Sequence, residues 1–520
     1  MESQRTALTT MTDAPAVRTP ARIDGKNLLF TIVWLGIYLA CVIPRAIQKP
    51  FWYDEIFTWY LSGLPSFGEL WACLRKGTDP NPPLHYVLVH VSNSIFGAGQ
   101  LATRLPTVFG YLLMSFCLYK VARRHVPSVF AWTAATLPLV TEASGYAIEA
   151  RSYGLMLGFG AAGLLCWQVA TEDNGLPRKI ALILLPLCLG AAVTSHYFAV
   201  LVFIPLGVGE LTRSWLRRKI DLPLWCALVA GLFPLLLLRE LMQGASTFKG
   251  TFWSRPGWSY GFQCYAHLFK EAAIPLVTIA VLLAIDVRFP LRAFFQSDAQ
   301  DQTEEPRPIR VPTHEFVAAL TFVALPFLGL AFSKIAAGGA FAERYALATV
   351  FGFSLLLAYS SAAAASHRTY VGALITLGCL VWFLGFEGYR YQRDFDPQYK
   401  VTASDYPQAL ASDQPLVLSW SFLFLQAQKD LPKELAERSY FLTGGDSTDE
   451  FALTKLSERF PMKVENMNTF VDKHKEFFLC GFPSDRVYRE LIKADAQLTV
   501  LSAHRFRGLE VLFVRVKCKG

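Results

Sequence analysis

The sequence is short of charge. Only 17% of its 520 residues are Asp, Glu, Lys or Arg, against roughly 25% in an ordinary soluble protein. It also lacks paired cysteines. The 10 cysteines stand singly, with no Cys-x-x-Cys and mostly inside apolar runs, where a thiol behaves as a small hydrophobe. That pattern suggests neither a zinc nor an iron–sulfur framework, and leaves Cys480 and Cys518 as the one pair that could close within the C-terminal region. No long-period repeat and no low-complexity tract is present. Disorder, a collagen-like fibre, a disulfide-stapled secreted domain and a soluble enzyme are excluded together. What the chain has instead is 53% hydrophobic residues, 14% aromatics and a mean hydropathy of +0.32. Its apolar runs between residues 27 and 386 are too long for soluble cores. This pattern predicts a polytopic α-helical membrane protein.

Apolar runs of membrane-crossing length suggest about eleven spans, near 27–46, 103–122, 128–146, 152–170, 180–195, 197–212, 222–240, 272–288, 314–332, 346–363 and 369–386. Segment 82–96 is apolar but short. The net charge is +8, and its placement orients the chain. Lys120, Arg123, Arg124, Arg178, Lys179, Arg213, Arg217, Arg218, Lys219, Arg288, Arg292, Arg307, Arg310 and Arg368 all fall on one side if the N-terminus is inside and 82–96 does not cross. The reading is therefore a cytoplasmic tail 1–26, a transmembrane domain 27–386 with a long outer loop 47–102, and an extracytoplasmic region 387–520. Segment 82–96 is placed in the outer interface. The first run lacks a small-residue cleavage site, so it is expected to be a retained anchor.

The tail changes character. Residues 415–420, 439–443 and 477–482 read as short buried strands, 422–431, 449–460 and 484–495 have helical periodicity, and 497–517 reads as a hairpin around Arg507-Gly508. Alternating strand and helix predicts a small α/β domain. It carries no Gly-x-Gly-x-x-Gly and no phosphate loop, so nucleotide binding has no support.

The unusual polar residues fall in the outer loops. Asp54 and Glu55 sit in an aromatic run, Phe51 to Tyr60, suited to headgroup level. Partial desolvation raises a carboxylate's proton affinity, which suits a general base; the plainer reading is two solvated carboxylates at a membrane boundary. Asp79-Pro80-Asn81-Pro82-Pro83-Leu84-His85-Tyr86 would hold polar groups at a helix start, where Asp79 and Asn81 could simply be caps and His85 either a ligand contact or structural. Glu149 and Arg151 lie where ionisable groups need partners, and Glu149 and Tyr153, four apart, would share a helical face. Thr194-Ser195-His196-Tyr197 interrupts two apolar runs. Glu343-Arg344-Tyr345 opens the tenth. Arg344 could hold a phosphate, pair with Glu343 or snorkel to headgroups. Asp54, Glu149 and His196 could meet in space, yet their spacing carries no metal signature.

Taken in order, the acidic pair, Asn-Pro-Pro-Leu-His-Tyr, Arg104-Leu105-Pro106, Glu-Ala-Arg-Ser-Tyr, His-Tyr-Phe and Glu-Arg-Tyr resemble the GT-C superfamily of membrane glycosyltransferases. The likeness is to its family 39/83-like group of protein O-mannosyltransferases, lipid A aminoarabinose transferases and Rgt-type bacterial transferases. It covers roughly 27–363 and is strongest over 51–155. The resemblance implies a polyprenyl-phosphate sugar donor and a lipid, glycan or protein acceptor at the outer face, with inversion at the sugar. It implies Asp54 as general base, Glu55 in the second acidic position, Glu149 as the second-loop acid with Arg151 as an alternative there, and Arg344 on the donor phosphate. Asp79, His85, Arg151, Tyr153, His196, Arg344 and Tyr345 form the expected substrate-binding set. Some relatives carry a lysine where Asn81 stands, which puts a phosphate role for that position in doubt.

No cofactor is expected with certainty, a divalent metal is left open, and no nucleic-acid partner is expected. A stable phosphate leaving group makes a base and a phosphate clamp sufficient. The main rival is a transporter or flippase. Against it stand the absence of matching halves and the gathering of polar residues at one boundary, whereas a transporter site lies near the midplane. A non-catalytic scaffold would have no reason to place Asp54, Arg151 and Arg344 on one face. The lack of an Asn-x-Ser/Thr sequon and of a retention tail leans toward a bacterial inner membrane.

Overall fold

The computed structural model describes residues 25–249, 252, 254–288, 309–365, 368–396, 398, 400–445 and 447–519. The tail before residue 25, the acidic segment 298–305 and Arg292 and Arg307 lie outside the described residues. Nine helices open the chain: α1 (Gly25–Gln48), α2 (Tyr53–Ser62), α3 (Phe67–Arg75), α4 (Leu84–Phe96), α5 (Gln100–Arg123), α6 (Ser128–Thr136), α7 (Tyr153–Glu172), α8 (Gly175–Ser195) and α9 (Phe203–Arg217).

By length and composition, six helical stretches among the described residues can cross a membrane: Asn27–Gln48, Gln100–Arg123, Tyr153–Glu172, Gly175–Ser195, Tyr197–Arg217 and Thr369–Asp394. Three further stretches are bent pairs, at 63° between Leu222–Leu237 and Arg239–Ala245, 78° between Tyr260–Phe269 and Ala273–Ile285, and 65° between Thr313–Val323 and Leu325–Ala336. Counting each pair as one span gives up to nine. The other two expected spans correspond to shorter apolar helices, Ser128–Val140 and Thr349–Ala364. The 65° bend has a local cause. Pro326 cannot donate to the preceding turn, so the helix stops at Val323 and restarts.

Helices α5 and α7 approach closely because small residues face each other. A Cβ on Gly158 would lie 2.3 Å from the Gly110 carbonyl oxygen, and one on Gly110 would lie 2.6 Å from that of Gly154. At one end of the bundle a largely buried ionic cluster joins distant segments. Arg45 of α1 pairs with Glu387 at 2.5 Å and Asp394 at 3.0 Å, and Arg390 binds Glu387, Glu142 and Glu271. The last apolar helix therefore runs to Asp394, eight residues past the expected end at 386, because those charges face inward and are paired.

The C-terminal region forms one six-stranded sheet of order β3-β2-β1-β4-β6-β5, with β1 (Leu416–Leu418), β2 (Ser439–Thr443), β3 (Lys463–Asn466), β4 (Glu476–Gly481), β5 (Gln497–Phe506) and β6 (Leu509–Lys517). The first four are mutually parallel and the β5–β6 hairpin is antiparallel. Its turn places Arg507 at φ 52° and Gly508 at φ 82°, the two positive values of a type I′ turn. Strand β3, Lys-Val-Glu-Asn, escapes detection in the sequence because it is an edge strand with exposed ends and no apolar run. The ten cysteines are unpaired. Cys480 lies opposite Phe513, whereas the Cys518 amide bonds back to Lys475. The two thiols are thus about five residues apart along the ladder, roughly 16 Å at strand rise, too far to bridge.

This domain shares its core with the first loop. Phe51, Ile56, Phe57, Leu61 and Leu70 belong to one buried cluster with Phe422, Leu423, Phe424 and Phe478. The Arg507 guanidinium caps the Trp52 and Phe422 rings at 4.7 Å each, and Lys76 binds Glu458 at 3.0 Å.

Candidate active site

The end of the bundle under the C-terminal domain holds nearly all the polar residues singled out in the sequence. Helix α2 presents its first turn there. Neighbours on a helix point about 100° apart, and the Asp54-Glu55 pair is split by that rotation. Glu55 turns inward and is fully buried. Its oxygens accept from Arg104 Nε at 2.7 Å, Arg104 Nη2 at 3.0 Å, the Trp52 amide at 2.8 Å and the Ala150 amide at 2.7 Å. Arg104, also fully buried, donates its remaining protons to the carbonyls of Ala46, Lys49 and Pro50. Glu55 therefore has no oxygen free for substrate. It ties α1, α2, α5 and the 149–151 segment together, a placement that opposes the expected catalytic role.

Asp54 turns the other way. Its side chain is 41% exposed and holds Arg151 Nη2 at 2.7 Å through Oδ2. Arg151 is the hub of the site. It also reaches Glu149 at 3.2 Å and lies over the rings of Tyr146 (5.5 Å) and Tyr153 (5.2 Å). Lys49, just past α1, takes the other oxygen of Glu149 at 2.5 Å. Burial alone would raise the Glu149 pKa, but Lys49 and Arg151 outweigh it and hold the carboxyl below its ordinary range. Helix α7 starts only at Tyr153, so Glu149 and Tyr153 do not share a helical face; Arg151 joins them instead.

Across from Arg151, Arg344 donates through Nε to the Tyr153 hydroxyl at 2.9 Å and lies over the Tyr345 ring at 5.6 Å. Glu343 accepts from the Tyr260 hydroxyl. Tyr345 stacks on Phe198 at 4.2 Å and meets His196 at 5.3 Å, and His196 meets Tyr153 at 4.9 Å. His196 sits where α8 ends, its Nδ1 accepting from the Phe198 amide. Burial, with Arg344 and Arg151 nearby, pushes its pKa down to about 3, so the imidazole stays neutral.

The Pro-rich turn behaves differently from expectation. The cap position of α4 is Pro83, with no side-chain cap; Asp79 accepts from the Asn81 amide and side chain at 2.9 and 2.8 Å and closes a local turn. Burial raises the Asp79 pKa, opposed by hydrogen bonding to Tyr86 and reinforced by Asp54. His85 is 2% exposed and its Nε2 lies 3.1 Å from the Ala150 carbonyl oxygen. Burial pushes its pKa down to about 4. It lies behind the site as a strut on the Ala150 carbonyl, with its Nδ1 shut from solvent.

Asp54, Glu149, Arg151, Tyr153, His196, Arg344 and Tyr345 thus stand together, with Asp79 alongside. Glu55 and His85 lie behind them. Asp54, Glu149 and His196 do not form a metal-ligating group: the Arg151 guanidinium occupies the position between the two carboxylates. Sequence reasoning missed Lys49 and Asp449. Asp449 opens a C-terminal-domain helix, accepts from Ser421 at 2.8 Å and has its pKa raised by burial and then by Asp54. Nothing in its local sequence points to it, since the fold alone carries it to the first loop.

A family model, that of dolichyl-phosphate-mannose-protein mannosyltransferase, matches residues 80–238. That span contains His85, Glu149, Arg151, Tyr153 and His196 but neither Asp54 nor Arg344. A search of curated protein sequences finds no match. Two solved structures of ArnT from Cupriavidus metallidurans are similar along nearly the whole chain. The apo form gives a TM-score of 0.60 at 14% identity over 94% of this chain and 98% of that one. The form bound to undecaprenyl phosphate gives 0.59 at 13% identity over 95% and 98%. The chain therefore has the fold of ArnT from Cupriavidus metallidurans, and the segment that supplies Arg151 and its neighbours matches the mannosyltransferase family model.

Proposed function

We propose that the protein is an integral-membrane glycosyltransferase that moves a sugar from a polyprenyl-phosphate donor to an acceptor hydroxyl, with Asp54 as general base. The observation that carries this reading is the contrast at α2. Among the site carboxylates, Asp54 is open to solvent while one oxygen is held by Arg151, which leaves Oδ1 to take a proton. The acceptor oxygen gives its proton to Asp54 and forms the new bond to the anomeric carbon. The bond from that carbon to the phosphate oxygen breaks on the opposite face, and polyprenyl phosphate leaves with the electron pair. The sugar is inverted.

Arg344 and Arg151 are the phosphate-binding cations, and Tyr153 and Tyr345 fix their planes. Glu149, gripped by Lys49, positions Arg151, and neutral His196 walls the pocket. Glu55 acts through the backbone it holds. An apolar cavity of about 690 Å³, lined by Phe269, Leu276, Phe316, Phe353 and Leu357, has the chemistry a prenyl chain requires. The basic ends of α5 and α9, at Arg123, Arg124, Arg213, Arg217 and Arg218, support a cytoplasmic position for the opposite end and an extracytoplasmic one for the site, in a bacterial inner membrane. The acceptor is a lipid, glycan or protein hydroxyl that enters past Asp79 and Asp449.

Mass spectrometry of lipid-linked sugars and envelope glycans tests the reading in cells producing wild type or Asp54→Asn. Loss of a general base costs about 10²–10⁴-fold in rate, so the variant should accumulate a polyprenyl-phosphate sugar while one glycan lacks a residue. Unchanged pools alongside expressed protein would overturn it.

A further inference from the structure

At the far ends of α5 and α7, roughly 29 Å along α7 from Tyr153 at helical rise, a second polar cluster lies apart from the site. His125 follows α5, Gln168 and Glu172 occupy the last turns of α7, and Glu315 lies in the first turn of helix Thr313–Val323. His125 Nε2 is 2.9 Å from Glu315 Oε2 and 3.4 Å from Glu172 Oε1. One ligand atom from each of the three lies within 4.8 Å of the other two. Ligands about 2.1 Å from a tetrahedral ion stand roughly 3.4 Å apart, so these separations suit a shared cation.

A second observation points the same way. Gln168 is fully buried; its Nε2 donates to Glu315 Oε2 at 2.7 Å and to the Val121 carbonyl at 3.2 Å and lies 3.2 Å from His125 Nε2, yet its Oε1 has no donor. Glu315 Oε1 is likewise shut from solvent without a partner, and so is the Tyr359 hydroxyl, whose ring meets that of His125 edge-on at 5.9 Å. Orphaned acceptors of this kind are costly in a dry interior. Arg124 pairs with Glu172 at 2.8 Å and with Asp173 at 2.9 Å, while Glu315 lies against His125, Glu172 and the Gln168 amide nitrogen. A divalent ion between the two carboxylates supplies partners for unused acceptors.

We infer that His125 Nε2, Glu172 Oε1 and Glu315 Oε2 bind one divalent first-row transition ion of the zinc or manganese class, the Gln168 amide turning over so that its unpartnered oxygen, in place of its nitrogen, faces the ion. One imidazole with two carboxylates is a mixed nitrogen and oxygen set of that selectivity. The three ligands come from three separate segments, so the ion staples α5, α7 and helix Thr313–Val323 at the end of the bundle away from Asp54. It stabilises the fold and takes no part in transfer chemistry.

The test uses the full chain in detergent, stripped with chelator and dialysed against Zn²⁺ or Mn²⁺. Wild type should retain about one ion per chain by elemental analysis, with a raised unfolding midpoint. His125→Asn and Glu315→Gln should lose the ion, and Asp54→Asn should keep it. A zinc-edge absorption spectrum of wild type should show one imidazole among oxygen ligands, a readout that does not depend on any variant folding. No retained ion, an ion kept by His125→Asn, an ion lost with Asp54→Asn, or a spectrum without imidazole would each overturn the inference.

Discussion

Two ion pairs lie side by side at the first turn of α2, and they are built in opposite ways. Glu55–Arg104 is sealed, with every guanidinium proton and both carboxylate oxygens engaged. Asp54–Arg151 is half open, and its arginine is shared with Glu149. A buried pair with all bonds made cannot respond to a ligand, because moving either partner strands a charge. A pair with one exposed member loses less when it opens, because water screens Asp54 and Glu149 keeps Arg151 paired. The first pair therefore sets the position of the second, and only the second can exchange partners with a substrate.

The comparison can be broken first at its rigid half. Arg104→Met should leave Glu55 charged and dry, at a cost of about 3–5 kcal/mol. It should abolish the monodisperse peak in detergent chromatography, whereas Asp54→Asn should give a wild-type profile and unfolding midpoint. A stable Arg104→Met protein would refute the structural assignment. The open half is sharpened by Arg344→Ala. It should raise the donor KM by about ten- to a hundredfold, since a charge-assisted bond to phosphate is worth roughly 1.5–3 kcal/mol, with a smaller effect on the acceptor KM. The opposite ranking would move the phosphate site.

The smallest effect concerns acid. His85 stays neutral in the folded chain down to about pH 4, while in the unfolded chain it takes a proton near pH 6.5. The unfolded state thus binds more protons between those values, and stability falls as pH drops from about 6.5 toward 4. His85→Gln should flatten that part of the unfolding-midpoint profile. An unchanged slope would place the acid sensitivity elsewhere, with His196 the next group to replace.

The membrane-crossing stretches were legible because hydropathy acts over twenty residues and needs no partner to be seen. The strands at 416–418, 439–443 and 476–481 were legible for the same reason, being short apolar runs between turn residues, while edge strand β3 was not. The motif residues Asp54, Arg151, His196 and Arg344 stood out because polar groups interrupt apolar sequence there. Glu55 stood out equally, and sequence could not separate it from Asp54, since burial depends on where Arg104 and Ala150 arrive from 49 and 95 residues away.

The sequence by itself determined the solvent of each segment: lipid for the long apolar helices, water for the loops, and a small α/β core at the C-terminus. Those are one-dimensional properties, set by composition and period. Only the tertiary structure decided which charges meet. It brought Lys49 to Glu149, Asp449 to the first loop, and His125 to Glu172 and Glu315, pairings across 47 to 395 residues that no local pattern encodes. A charge in a poorly polarisable interior is defined by its neighbours, and neighbours are a property of the fold.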